Sequence, residues 1–203
     1  MSHGQDPAAP LEGERWSVEV ILDDLQATAG FAEDLASLLN PGVLLVLTGG
    51  LGAGKTTFTQ ALGGALGVSG MVSSPTFILS RIHRAQGDGP DLVHVDAYRT
   101  DPDGLESLDL SSTLADSVTV VEWGRGMVEA ALVGVEGSWL DLELIRGEGT
   151  ESSPRAGGQQ TEIVTDFSET EADVLGSRRR AVLRGYGPDW ARPPQLGRTT
   201  MEG

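Results

Sequence analysis

LLVLTGGLGAGKTT, residues 44–57, decides how this chain is read. Lys55 is its only lysine; every other fixed cation among the 14 is an arginine. Residues 49–56, GGLGAGKT, fit G-x-x-x-x-G-K-[ST], the phosphate-binding loop. The residue types follow from the chemistry. Glycines let successive backbone N–H groups turn toward phosphate oxygens. The helix start behind them adds its positive end. A lysine is a point charge on a flexible stem that reaches the β- and γ-phosphates, and arginine's planar fork does not replace it. Thr56 offers a hydroxyl to Mg²⁺. The candidate nucleotide-binding residues here are Gly49, Leu51, Gly52, Ala53, Gly54, Lys55, Thr56 and Thr57.

Working outward, VLLVLT (43–48) is a continuous apolar run, as a strand covered on both faces requires. A helix is expected from Thr56 to about Leu66. Upstream, WSVEVIL (16–22) alternates like a strand. Asp23 or Asp24 caps a helix to about Leu39, because Leu25, Thr28, Ala32, Leu35 and Leu39 share one face. Downstream, FILSRIHR (77–84) and LVHVDAYR (92–99) flank a GDGP turn and predict a hairpin. DPDGLESLDL predicts a short helix capped by Asp101, with Pro102 at its first position. SVTVVEW (117–123) is another apolar strand. SWLDLELIR (138–146) alternates apolar and acidic residues, so one face is expected to be wet. RRAVLRGYG (179–187) reads as the last strand. The expected architecture is α/β: a P-loop NTPase fold with a central mixed, mainly parallel sheet flanked by helices, with antiparallel additions.

The expected organisation is a disordered tail over 1–15, one domain over 16–187, and a tail over 188–203. Residues 147–177, rich in Gly, Ser, Thr and Glu, read as a flexible acidic insertion. No stretch approaches the roughly 20 apolar residues of a membrane span. The first residues lack a signal peptide's cationic start and apolar stretch. There is no cysteine, hence no disulfide and no thiolate metal site. Together these predict a cytoplasmic protein. The net charge of −16 repels free nucleic acid overall. Arg178, Arg179, Arg180 and Arg184 form the one basic cluster, which reads either as a local patch toward nucleic acid or as a solvated strand end.

The common guanine-reading motif, N-K-x-D, needs a second lysine, so ATP is the expected nucleotide. Hydrolysis needs carboxylates for Mg²⁺ and water, and two apolar runs end in one: LVHVD at Asp96 and VTVVE at Glu122. His94, two residues before Asp96, either orients it or is a packed histidine. Trp123 either shields the metal site or fills core. No arginine is placed by sequence as a finger on the γ-phosphate, although folding could bring in Arg81, Arg99 or Arg125.

GGLGAGKTTFTQAL, then SSPTF (73–77), HVDAYR (94–99) and VEWGR (121–125), in this order, resemble the bacterial TsaE (YjeE-type) P-loop ATPases of tRNA threonylcarbamoyladenosine biosynthesis. The resemblance covers about residues 16–146. It implies a weak, Mg²⁺-dependent ATPase activated by two partners, TsaB and TsaD. That assembly modifies the adenosine next to the anticodon in tRNAs reading codons that begin with A. The ATPase meets tRNA only through the complex. Carried onto this chain, the family pattern gives Lys55 and the loop amides to the phosphates, Thr56 and Glu122 to Mg²⁺, and Asp96 a place near the γ-phosphate as base or metal partner. Lys55, Asp96 and Glu122 are thus the expected catalytic residues. Ser74-Pro75-Thr76 would form a switch-like loop, and Thr28 falls where the family contacts the adenine side. Gly50 stands where the family usually has aspartate. The readings outside this family are a P-loop kinase for a small metabolite, or a nucleotide-gated binding module.

Overall fold

The structure is a computed structural model, and it describes residues 11–75, 79–100, 102–147 and 178–196. The described elements run β1 (Glu14–Leu22), α1 (Leu25–Ala36), β2 (Leu44–Thr48), α2 (Lys55–Ala65), β3 (Ser80–His83), β4 (Asp91–Asp96), α3 (Pro102–Glu106), α4 (Leu110–Leu114), β5 (Ser117–Glu122), α5 (Glu129–Val133), β6 (Trp139–Arg146) and β7 (Arg179–Tyr186). The strands form one mixed sheet in the order β1-β7-β6-β2-β5-β4-β3. β6, β2, β5 and β4 are mutually parallel, while β7, β1 and β3 join antiparallel. The expected mixed α/β sheet with antiparallel additions is what forms.

Local chemistry accounts for the boundaries. Asp24, in extended backbone, accepts the Ala27 N–H at 2.7 Å and starts α1; such a cap is worth about 1 kcal/mol. The helix ends at Ala36, one turn short of the expected Leu39. β2 is buried at every position, which its uninterrupted apolar run requires. The DPDGLESLDL segment makes two short helices instead of one, because Asp109 adopts φ 47° between them. Asp101, the expected cap, lies outside the described residues, as do residues 148–177 of the expected insertion.

The two faces of the sheet are packed by different partners. α1 and α2 cover one face, where Phe31 and Phe58 meet with ring centroids 5.8 Å apart among Leu45, Leu47, Leu140, Leu142 and Leu183. Truncating either phenylalanine to alanine would cost about 3–5 kcal/mol. The other face packs Leu44, Val46, Val93, Val95 and Val121 against α3–α5. Within 188–196, part of the expected loose tail, most residues are exposed but two anchor the segment. The Trp190 carbonyl accepts from Trp16 Nε1 at 2.7 Å, and Leu196 is buried in the core. The N-terminal side is likewise fixed from Leu11, whose N–H donates to the Tyr186 hydroxyl. Among the described residues, no helix is long and apolar enough to cross a membrane.

Candidate functional site

The glycine loop joins β2 to α2. Three of its glycines, Gly49, Gly52 and Gly54, have a positive φ that disfavours any side chain. Gly49 has φ +142°, and a Cβ there would fall 2.4 Å from the Leu144 carbonyl oxygen of β6. Gly54, at the N-cap of α2, has φ +96°, and its Cβ would fall 3.0 Å from Arg179 Nε. Gly50 is different: a Cβ there meets nothing within 4 Å, so the space does not demand glycine where the TsaE-like pattern has aspartate.

Lys55 is buried, and its Nζ donates to the carbonyls of Gly49 at 2.9 Å and Gly50 at 3.0 Å. The ammonium also lies 3.7 Å above the centre of the Trp123 ring. The loop's own acceptors and an aromatic face therefore hold the charge within the loop. Trp123 carries φ 63°, a costly conformation for a bulky residue. Its N–H donates to the Leu47 carbonyl at 3.2 Å, which fixes the ring directly after β5. Of the two expectations for Trp123, shield or filler, neither describes this contact with the loop lysine.

Asp96 and Glu122 end the adjacent parallel strands β4 and β5 and stand opposite one another in register. Both are buried. Glu122 is held from two sides. Thr56 Oγ1 lies 3.2 Å from its Oε1 and 3.4 Å from its Oε2, and His94 Nε2 lies 2.8 Å from Oε1. His94 therefore orients Glu122, not Asp96 as expected. Spacing alone does not choose between them, since the diagonal neighbour on the next strand is no nearer than the residue two along the same strand; the Asp96 carboxylate turns to its own downstream backbone and leaves the imidazole to Glu122. Asp96 is instead fixed by the Tyr98 N–H, donated to its Oδ1 at 3.0 Å.

Thr56 and Glu122 fit a Mg²⁺ ion. A hydroxyl and a carboxylate in contact beside the glycine loop are hard oxygen donors, and Mg²⁺ characteristically takes one or two carboxylates plus substrate phosphates. Among the described residues no group of three His, Cys, Asp or Glu side chains forms a cage for a metal without phosphates. Thr57 follows on α2. Leu51, at the loop tip, is exposed. Thr28 is buried on α1, and its hydroxyl donates to the Asp24 carbonyl at 3.0 Å. Of the expected switch loop Ser74-Pro75-Thr76, the Pro75 carbonyl accepts from the Leu79 N–H and Thr76 lies outside the described residues; just before it, Ser73 accepts from Arg81.

The acidic face of β6 is not wet. Asp141 and Glu143 are buried against Arg184 of β7, which donates from its guanidinium to Asp141 at 3.2 Å and to Glu143 at 2.7 Å. Arg125 Nη2 lies 3.4 Å from the Asp141 carboxylate, and Thr48 donates to it at 3.0 Å. Alternation marked these acids as solvent-facing because it cannot see that a neighbouring strand supplies their counter-charges. Burial raises the pKa of Asp141, with both arginines and Thr48 acting in the opposite direction. The basic cluster is split the same way. Arg178 and Arg180 are exposed, whereas Arg179 is buried and donates Nε–H to the Ala53 carbonyl of the glycine loop at 3.1 Å. Sequence reading missed that contact, although strand alternation already sets Arg179 on the opposite face from its two neighbours.

These features define a class: an α/β protein whose single mixed sheet presents a glycine loop, a lysine and two carboxylates at adjoining strand ends. The particular assignment comes from similarity. The model of the family described as "Threonylcarbamoyl adenosine biosynthesis protein TsaE" matches residues 22–152, and the chain belongs to that family. A Streptomyces coelicolor protein named tRNA threonylcarbamoyladenosine biosynthesis protein TsaE is 60% identical over 97 residues, 47% of this chain and 66% of that protein. A Mycobacterium leprae protein of the same name is 41% identical over 135 residues, 63% of this chain and 81% of that protein. Among solved structures, Bacillus subtilis YdiB shares the fold with a TM-score of 0.55 and 24% identity, covering 86% of this chain and 88% of that one.

Proposed function

We propose that this protein is the ATP-hydrolysing component of the system that makes threonylcarbamoyladenosine in tRNA. The observation that carries the reading is the Thr56–Glu122 contact at 3.2 Å beside the loop lysine, in a chain of the TsaE family. On this reading the fold is that of a P-loop NTPase and ATP is the nucleotide. The phosphates lie against the loop amides, and Lys55 leaves the Gly49 and Gly50 carbonyls for the β- and γ-phosphates. Thr28 borders the adenine side. Thr56 and Glu122 hold Mg²⁺, which when bound neutralises phosphate charge. Water attacks the γ-phosphorus, the bond to the β-phosphate oxygen breaks, and ADP and phosphate leave. Asp96, across from Glu122, acts as the base that takes that water's proton.

The chain alone is a slow ATPase, and its activators are TsaB- and TsaD-like proteins in the cytoplasm. None of Arg81, Arg99 and Arg125 is required as a finger on this reading; Arg125 already faces Asp141. A finger supplied by a partner is worth roughly 10³–10⁵ in rate. With a net charge of −16, the protein is not stimulated by tRNA directly, because both are polyanions. Hydrolysis serves turnover of the assembled complex on tRNAs that read codons beginning with A. The test is steady-state phosphate release by the protein alone, with tRNA, and with the partner pair. Stimulation by the pair and not by tRNA is expected. Fast turnover alone, or full stimulation by tRNA without protein partners, refutes the reading. Transfer of phosphate to a metabolite instead of water would return the kinase alternative.

A further inference from the structure

Arg179 occupies an unusual place for a strand arginine. It enters at the first residue of β7, is buried, and packs against the loop at the spot where a side chain on Gly54 would sit. Its Nε–H is donated to the Ala53 carbonyl at 3.1 Å. The Ala53–Gly54 peptide is trans, as are all peptides described here. In a trans peptide the C=O and the following N–H point in opposite directions. Fixing the carbonyl toward Arg179 therefore fixes the Gly54 N–H away from it. At φ +96° Gly54 has the freedom to let this peptide plane rotate, so something outside the glycine must choose its orientation.

We propose that Arg179 is a positioning residue for the phosphate loop: by holding the Ala53 carbonyl it aims the Gly54 N–H into the loop, where it meets the phosphate chain of a nucleoside di- or triphosphate. The inference rests on the nucleotide-binding reading of the loop. Its energetic logic is preorganisation. An amide already aimed costs no reorganisation on binding, while a freely rotating one must be ordered by the ligand.

The test uses the full chain and four variants: Arg179→Met, which keeps the apolar stem but has no donor; Arg179→Lys, which keeps a donor; Gly54→Ala, which strains the peptide directly; and Lys55→Ala. ATP, ADP and adenosine binding are measured by calorimetry, and unfolding by thermal melting without nucleotide. Arg179→Met is expected to weaken ATP and ADP about tenfold, the loss of one aimed hydrogen bond to a charged group. Adenosine, lacking phosphates, is expected to bind as to the wild type. Arg179→Lys is expected to recover most of the loss, and Arg179→Met is expected to remain folded, with a single cooperative melt. Wild-type ATP affinity in Arg179→Met overturns the proposal, as does an equal loss of adenosine, which would mark a general structural effect. If Lys55→Ala binds ATP as tightly as the wild type, the nucleotide-binding reading falls as well. If Lys55→Ala loses ATP while Arg179→Met does not, only the role of Arg179 falls.

Discussion

His94 Nε2 lies 2.8 Å from Glu122 Oε1, and neither side chain is open to solvent. A buried carboxylate held by both an imidazole and the Thr56 hydroxyl has one orientation open to it. If Glu122 is a Mg²⁺ ligand, His94 fixes its aim. Removing the partner that orients a metal ligand typically costs about 10–100-fold in metal affinity. His94→Phe should therefore raise the Mg²⁺ concentration for half-maximal hydrolysis by about that factor while leaving metal-free ATP binding near the wild type. A Mg²⁺ titration of phosphate release checks it, and an unchanged half-saturation point would disprove the role.

Glu122→Gln and Asp96→Asn should separate binding from chemistry. A neutral amide is a poorer ligand for a hard cation, so Glu122→Gln should bind ATP and demand far more Mg²⁺. Asp96→Asn should bind both and hydrolyse slowly. Equilibrium binding and single-turnover hydrolysis of the two variants, side by side, decide whether the two strand ends divide the work in this way.

Lys55→Ala should abolish hydrolysis with the fold intact, because no second lysine exists to replace it. The lost phosphate contact is worth about 1.5–3 kcal/mol in binding. The ring of Trp123, 3.7 Å below the ammonium, reports the same event. ATP binding that draws Lys55 away should change tryptophan emission, and Trp123→Phe should remove most of that signal. A Trp123→Phe protein with an undiminished signal would mean that the ammonium does not move.

Arg184→Met should destabilise the chain by about 3–5 kcal/mol, since it removes the guanidinium that bonds both buried acids, Asp141 and Glu143. Urea denaturation at neutral pH measures this. A loss below about 1 kcal/mol would show that Arg125 and water compensate.

Glu129 supplies a pH signature. Burial raises its pKa above the ordinary 4.5, and the Gly126 N–H it accepts at 2.8 Å only partly offsets this. A carboxyl with a raised folded-state pKa binds protons more readily in the fold than unfolded, so its ionisation destabilises the fold as pH rises. Glu129→Gln, which can keep the Gly126 bond through its amide oxygen, should be more stable than the wild type at pH 8. The difference should shrink as pH falls toward 4.5 and vanish below it, where the wild-type carboxyl is protonated in both states. Denaturant melts at pH 4.5, 6 and 8 test the sign.

Much of this was legible in the sequence. The loop, its strand and its helix stood out because a phosphate cradle constrains residue type at several fixed positions. Asp96 and Glu122 were visible as acids ending apolar runs. What stayed hidden depends on strand neighbours. Whether Asp141 faces water or Arg184, and whether His94 meets Asp96 or Glu122, is fixed by which strands lie side by side. No local pattern encodes the order β1-β7-β6-β2-β5-β4-β3. Arg179 was hidden for the same reason: its partner, Ala53, is 126 residues away.

The exit of the chain from β6 has a practical consequence. The Gly147 N–H donates to the Arg178 carbonyl at 2.8 Å, so the two ends of that connection are clamped whatever length of chain joins them. Loop-closure cost grows only slowly with length, by roughly 0.6 kcal/mol per doubling. The clamp makes this a natural splice point for a reporter domain. A fluorescent protein grafted between Gly147 and Arg178 would stand one residue from Arg179 and, through it, from the glycine loop. Such a chimera would carry its reporter beside the glycine loop without altering either strand it leaves.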